Sequence, residues 1–149
     1  MKERPTIRCT NCGKLNRVGA SASGVPRCAV CHHPLPWVID ADSESFDDEL
    51  QASVPVLVDF WAPWCGPCRM VTPVVERVAA ENAGRLKVVK LNVDEAPAIS
   101  ARYQIQGIPL LLVLRDGREV DRQTGAPPPQ QLSRWIESHL AEAGTVQSG

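Results

Sequence analysis

Val54-Pro55-Val56-Leu57-Val58-Asp59-Phe60-Trp61, continuing into Ala62-Pro63-Trp64-Cys65-Gly66-Pro67-Cys68, is the stretch that decides the fold of this 149-residue chain. Its first eight residues are nearly all apolar and rich in β-branched side chains, as a strand covered on both faces of a parallel sheet requires. From Gly66 to about Asn82 the apolar residues Met70, Val71, Val74, Val75 and Val78 recur at helical spacing, with Pro73 marking a kink. The two cysteines therefore stand where a buried strand gives way to a long helix. Unsatisfied N–H groups and the positive end of the macrodipole at a helix start favour a thiolate over a thiol. Cys65 is thus expected to be a low-pKa nucleophile, and Cys68, one turn further in, a shielded partner.

Working outward, Trp37 to Ile39 reads as a short strand and Ser43 to about Gln51 as a short helix with Phe46 and Leu50 on one face. Leu86 to Val93 is a second buried strand, and Ala96 to about Tyr103 a short helix. Leu110 to Leu114 and Glu119 to Gln123 flank Asp116-Gly117, a hairpin signal. Pro128 to about Ala141 is a closing helix with Leu132, Trp135, Ile136 and Leu140 on its buried side. The order β-α-β-α-β-α-β-β-α predicts an α/β fold, a mixed central sheet flanked by helices.

Residues 1–36 have another texture: little apolar periodicity, no Phe, Tyr or Trp, and many Gly, Pro, Ser and Asn. The boundary is placed in Pro34-Leu35-Pro36, giving domains 1–36 and 37–149. Cys9-Thr10-Asn11-Cys12 and Cys28-Ala29-Val30-Cys31 enclose fifteen residues, the spacing of a four-cysteine zinc ribbon. Gly13 is available for an unusual backbone angle after the first pair. One structural zinc ion would also explain how a segment without a core folds. Redox-active or disulfide-paired cysteines are the alternative, and His32 and His33 could compete as ligands. The surplus of Lys2, Arg4, Arg8, Lys14, Arg17 and Arg27 over Glu3 would offset the charge of four thiolates.

The whole chain has 16 basic against 17 acidic residues, so no global charge draws it to nucleic acid or to an anionic membrane. It lacks the apolar leader of a secretory signal and any run of ~18 to 20 apolar residues. The expectation is a cytoplasmic protein in a reducing compartment, where Cys-x-x-Cys pairs serve as metal ligands or redox catalysts.

The run Phe60 to Cys68, with Asp59 six residues before Cys65, Pro73, Lys90, Gly107-Ile108-Pro109 and Gly125, resembles the thioredoxin family from about Trp37 to Ala141. With the front cysteines included, the chain resembles the zinc-containing type 2 branch of the bacterial thioredoxins. The resemblance implies a protein-disulfide reductase. Cys65 would attack a client disulfide, and Cys68 would resolve the mixed disulfide. Asp59 would accept the proton of Cys68, its pKa raised by burial, with Lys90 as neighbour. Asp59 could instead cap the strand, with Lys90 in solvent.

The resemblance also implies a cis Pro109 and a client-binding surface of Trp64, Gly66, Pro67, Ile108, Pro109 and Gly125. Leu110 departs from the threonine usual after that proline. Implied partners are disulfide-containing clients and an NADPH-dependent thioredoxin reductase as electron donor. This chain has no Gly-x-Gly-x-x-Gly of its own and no bound organic cofactor is expected. A monomer is the default. An oxidase or isomerase is the competing enzyme reading, against which Gly66-Pro67 argues. A nucleic-acid adaptor built on the ribbon is the competing binding reading, against which the lack of aromatics before Trp37 argues.

Overall fold

The computed structural model describes residues 6–18 and 25–144, with side chains as far as Leu140. Residues 1–5, 19–24 and 145–149, which belong to the two expected domains, lie outside the described residues. The elements are β1 (Thr6–Arg8), β2 (Leu15–Arg17), β3 (Trp37–Ala41), α1 (Phe46–Glu49), β4 (Val56–Trp61), α2 (Gly66–Glu81), β5 (Lys87–Asn92), a 3-10 turn (Val93–Glu95), α3 (Pro97–Arg102), β6 (Leu110–Arg115), β7 (Arg118–Thr124) and α4 (Pro129–Gly144).

Five strands form one mixed sheet in the order β3-β5-β4-β6-β7. The first three run parallel, and β6 and β7 run antiparallel to their neighbours. This is the thioredoxin fold that the sequence implies. The apolar run of β4 lies at the centre because both its faces are covered. Leu57 points to α2 and α4 with Val71, Val74, Val75, Val78, Leu132 and Ile136. Val56, Val58 and Phe60 point the other way, to Phe46 of α1 and Ile99 of α3. Phe46 and Phe60 have ring centroids 6.2 Å apart and both meet Tyr103. Each fully buried ring of this kind contributes roughly 1.5 to 3 kcal/mol. Asp116 and Gly117 turn β6 into β7 with positive φ at both residues, 52° and 78°, the geometry that a two-residue hairpin loop demands.

One expectation about a helix face needs correction. Met70 is 68 % exposed and lies outside the buried face of α2. It stands one turn beyond Gly66 and Pro67, on their side of the helix. Trp135 packs against the core beside Leu132, Ile136 and Leu140 as expected, its indole N–H reaching out to Asp121 Oδ2 at 3.0 Å. The helix expected over Ser43 to Gln51 narrows to Phe46–Glu49.

At the front, β1 and β2 make a small antiparallel sheet of their own. Ile7, Cys9, Val18, Cys28 and Leu35 pack with Trp37 and Ile39 of β3, so the front segment finds its apolar partners on the edge strand of the large sheet. Beneath Trp37 lies a fully buried Lys87, its Nζ 3.0 Å from Glu49 Oε1 and 4.6 Å from the centre of the indole.

Candidate functional site

Cys65 is the residue on which α2 begins. Its backbone is extended (φ −86°, ψ 106°), and its Sγ accepts the N–H of Cys68 at 3.2 Å, taking the place of an N-cap oxygen. Pro67 falls in the first turn, where a missing N–H costs nothing. Cys65 and Cys68 are joined by a disulfide with Cα atoms 5.3 Å apart, so the structure shows the oxidised form. Both are 3 % exposed, so in the oxidised form Cys65 is covered as fully as Cys68. Their cover is Ala62, Trp61, Val93 and Ile108.

The parallel register sets Asp59 of β4 beside Lys90 of β5, and Lys90 beside Asp40 of β3. By strand parity all three share the face of Leu57 and Val88, the face on which α2 and therefore Cys68 pack. Asp59 is 1 % exposed and its Oδ2 has no hydrogen-bond partner among the described residues. Burial pushes its carboxyl up to about 6; Lys90 opposes the rise, and Asp40 and Glu76 add to it. Lys90 Nζ lies 4.0 Å from Glu76 Oε2 and 5.6 Å from the centre of the Trp61 ring. A cleft of about 420 Å³ joins Lys90 to Cys68 along Trp61, Thr72 and Pro73.

On the other side of the disulfide lies the expected client surface. The Ile108-Pro109 bond is cis, and Gly125 N–H donates to Pro109 O at 2.9 Å, so these residues sit together. Gly125 has φ 89°, which favours glycine at that position. Ile108 is half-buried against the cysteines, Pro109 is buried, and Gly66 and Pro67 are exposed. Trp64 is 68 % exposed and donates its indole N–H to Asp94 Oδ2 at 2.9 Å. A groove of about 370 Å³ runs from Trp64 past Val93, Pro97 and Ile105 to Ile108. Sequence reasoning missed Asp94, Glu76 and this groove wall. The Asn92 cap that holds Asp94 N–H at 3.0 Å was a readable signal; the contacts across elements were not.

The four front cysteines converge, with all their sulfurs within 4.8 Å of one another. Cys9 Sγ lies 3.6 Å from Cys31 Sγ, and Cys12 Sγ 3.5 Å from Cys28 Sγ. A disulfide needs ~2.05 Å, so these are not bonded pairs. Four ligands at such separations could hold a metal ion. The N–H groups of Cys31 and Val30 hold the Cys28 thiol down at about 6 against burial. At Cys12 the N–H of Lys14 lowers the pKa, but the facing Cys28, burial, Cys31 and Cys9 raise it further, to about 12. Sulfurs this crowded cannot all ionise without a cation among them. His32 and His33 are exposed, and His33 Nδ1 lies 2.9 Å from Pro34 O.

Comparison with known proteins is consistent with this geometry. The Thioredoxin family model matches residues 37–138. Thioredoxin 1 of Nostoc sp. is 50 % identical over 99 residues, 66 % of this chain and 92 % of that protein. The thioredoxin of Synechocystis sp. is 48 % identical over 105 residues, 70 % of this chain and 96 % of that protein. That of Haemophilus influenzae is 46 % identical over 101 residues, 68 % and 92 % of the two chains. The family match begins at Trp37, so the four-cysteine cluster lies outside it.

Proposed function

Because the chain belongs to the thioredoxin family, we propose that it reduces disulfides of client proteins by dithiol exchange at Cys65 and Cys68. It is a thiol-disulfide oxidoreductase. The observation that carries the reading is a cysteine pair at the start of α2 with a buried carboxylate on the adjoining strand whose Oδ2 has no hydrogen-bond partner among the described residues.

In the reduced enzyme the Cys65 thiolate, held by the Cys68 N–H and the helix start, attacks one client sulfur. A mixed disulfide forms and the client's other sulfur leaves as a thiolate. Cys68 then gives its proton to Asp59, attacks Cys65 Sγ, and displaces the client's second sulfur as a thiolate; the two client thiolates take up the Asp59 proton and one from water, and the client leaves as a dithiol. The enzyme is left with the Cys65–Cys68 disulfide. Lys90 beside Asp59 offsets the carboxylate's charge between proton transfers. An extended client segment would lie along Ile108, cis-Pro109 and Gly125, with Trp64, Gly66 and Pro67 as the facing wall. A thioredoxin reductase drawing on NADPH would return the enzyme to the dithiol, and the cytoplasm is the compartment that keeps it there.

The division at residues 36 and 37 and the zinc-containing type are part of the same proposal. Zinc suits Cys9, Cys12, Cys28 and Cys31, since sulfurs ~2.3 Å from a tetrahedral zinc lie about 3.8 Å apart. The separations of 3.5 and 3.6 Å support this. The ion would supply a cross-link that folds a segment poor in apolar side chains. The test is reduction of a disulfide-containing protein substrate by the reduced chain. Cys65→Ser should abolish turnover; a serine variant that still reduces the substrate would overturn the assignment.

A further inference from the structure

The two Cys-x-x-Cys segments make matching sets of contacts. Arg8 and Arg27 precede them, and each donates to the carbonyl that follows its own pair, Arg8 to Gly13 O at 2.9 Å and Arg27 to His32 O at 3.2 Å. Gly13 N–H donates to Cys9 O and His32 N–H to Cys28 O, both at 2.9 Å, and both residues have positive φ, 82° and 67°. The first sulfur of each pair accepts the N–H two residues on, from Asn11 at 3.3 Å and from Val30 at 3.4 Å. Lys14 and His33, equivalent in turn, give their N–H groups to Cys12 and Cys31.

The match fails at one position that faces the sulfurs. Asn11 and Val30 are equivalent, but only Asn11 has a side-chain donor, and its Nδ2 reaches across to Cys31 Sγ of the opposite pair at 3.4 Å. Val30 is 62 % exposed and offers Cys12 nothing in return. The other amide side chain at the cluster, Asn16, is a partner of the buried Cys28 and also holds Lys14 O and the Ala29 N–H. Donors to a ligand thiolate withdraw charge from it and fix its direction, and loss of such an outer contact typically costs 10–100-fold in metal affinity.

We infer that Asn11 is an outer-sphere positioning residue of the four-cysteine metal site, holding Cys31 from the facing knuckle and leaving Cys12 the more electron-rich of the two partly open ligands. The inference rests on the metal reading given above. It also sets the route by which the site is strengthened, since the counterpart of Asn11 in the second segment is Val30.

The experiment uses the full-length reduced chain with zinc, in competition with a chromophoric chelator, and with cobalt(II), read by the thiolate-to-metal charge-transfer band. Asn11→Leu keeps the shape and removes the donor. It should lose about 10–100-fold in zinc affinity and move the cobalt band to longer wavelength, while its reduction of a protein disulfide stays at the wild-type rate and reports a folded chain. Val30→Asn should move the band the other way and, combined with Asn11→Leu, recover affinity. Wild-type affinity and an unmoved band in Asn11→Leu would overturn the inference alone, as would lost affinity with an unmoved band, which marks a merely structural role. A wild-type chain that takes up no zinc would overturn the metal reading and this inference together.

Discussion

Asp59→Asn separates what the fold wants at that position from what the chemistry wants. The carboxyl is 1 % exposed and is raised from its ordinary 3.8 to about 6, chiefly by burial. Each pH unit between folded and unfolded pKa corresponds to ~1.36 kcal/mol, so ionising Asp59 inside the sheet costs the native state about 3 kcal/mol at pH 7.5. Below the unfolded value both states hold the proton and the cost disappears. Between the two values the native state binds more protons than the unfolded chain, so stability falls as pH rises from about 4 to about 6 and is flat above. Asparagine copies the protonated acid at every pH. The variant should therefore be more stable than wild type by about 3 kcal/mol at pH 7.5, roughly 6 to 12 °C in Tm for a chain of this size, and by only about 1 kcal/mol at pH 4.5. Urea unfolding of the oxidised proteins at the two pH values measures the difference, and any effect of acid on the four-cysteine site cancels between them. An equal gap at both pH values, or a less stable variant at pH 7.5, would refute the reasoning. The same substitution should slow resolution of the mixed disulfide, because Cys68 loses its proton acceptor.

Two further outcomes follow from named contacts. Glu49→Ala leaves the Lys87 ammonium buried under Trp37 with only Gln51 O at 3.5 Å; burial already holds that ammonium below its ordinary pKa of 10.5. The loss should be about 3 to 5 kcal/mol in urea unfolding, whereas Glu49→Met with Lys87→Met should return close to wild type. A loss well under 1 kcal/mol for the single variant would mean that Lys87 finds water or sheds its proton. Cys68→Ser should accumulate a client joined to Cys65, visible as a mass increase on non-reducing electrophoresis; no adduct would mean that Cys65 does not lead.

What the sequence carried was local. Val56 to Trp61 announced a central strand because every face of it is covered, and Asp116-Gly117 announced its hairpin because both residues take positive φ. The Cys65 to Cys68 turn was legible because the strand before it and the helix after it each have their own period. Contacts between elements were not. Met70 fits the helical spacing of its neighbours, yet where the buried stripe ends depends on which helix packs beside α2. Trp37 looked like the first residue of one domain, and only the fold shows it sharing a cluster with Ile7, Cys28 and Leu35. Lys87, a lysine in an apolar strand, gave no hint that Glu49 would meet it from α1. Asp94 likewise holds Trp64 across thirty residues of chain.

The account turns on one sulfur being an anion at the start of α2. Rates of iodoacetamide alkylation of Cys65 in the reduced chain, followed against pH with the other cysteines distinguished by peptide mass, measure it. The account predicts a midpoint within the ~3.5 to 7.5 range of helix-start cysteines. A midpoint near ~8.5, that of a free cysteine, or no alkylation at any pH, would contradict it.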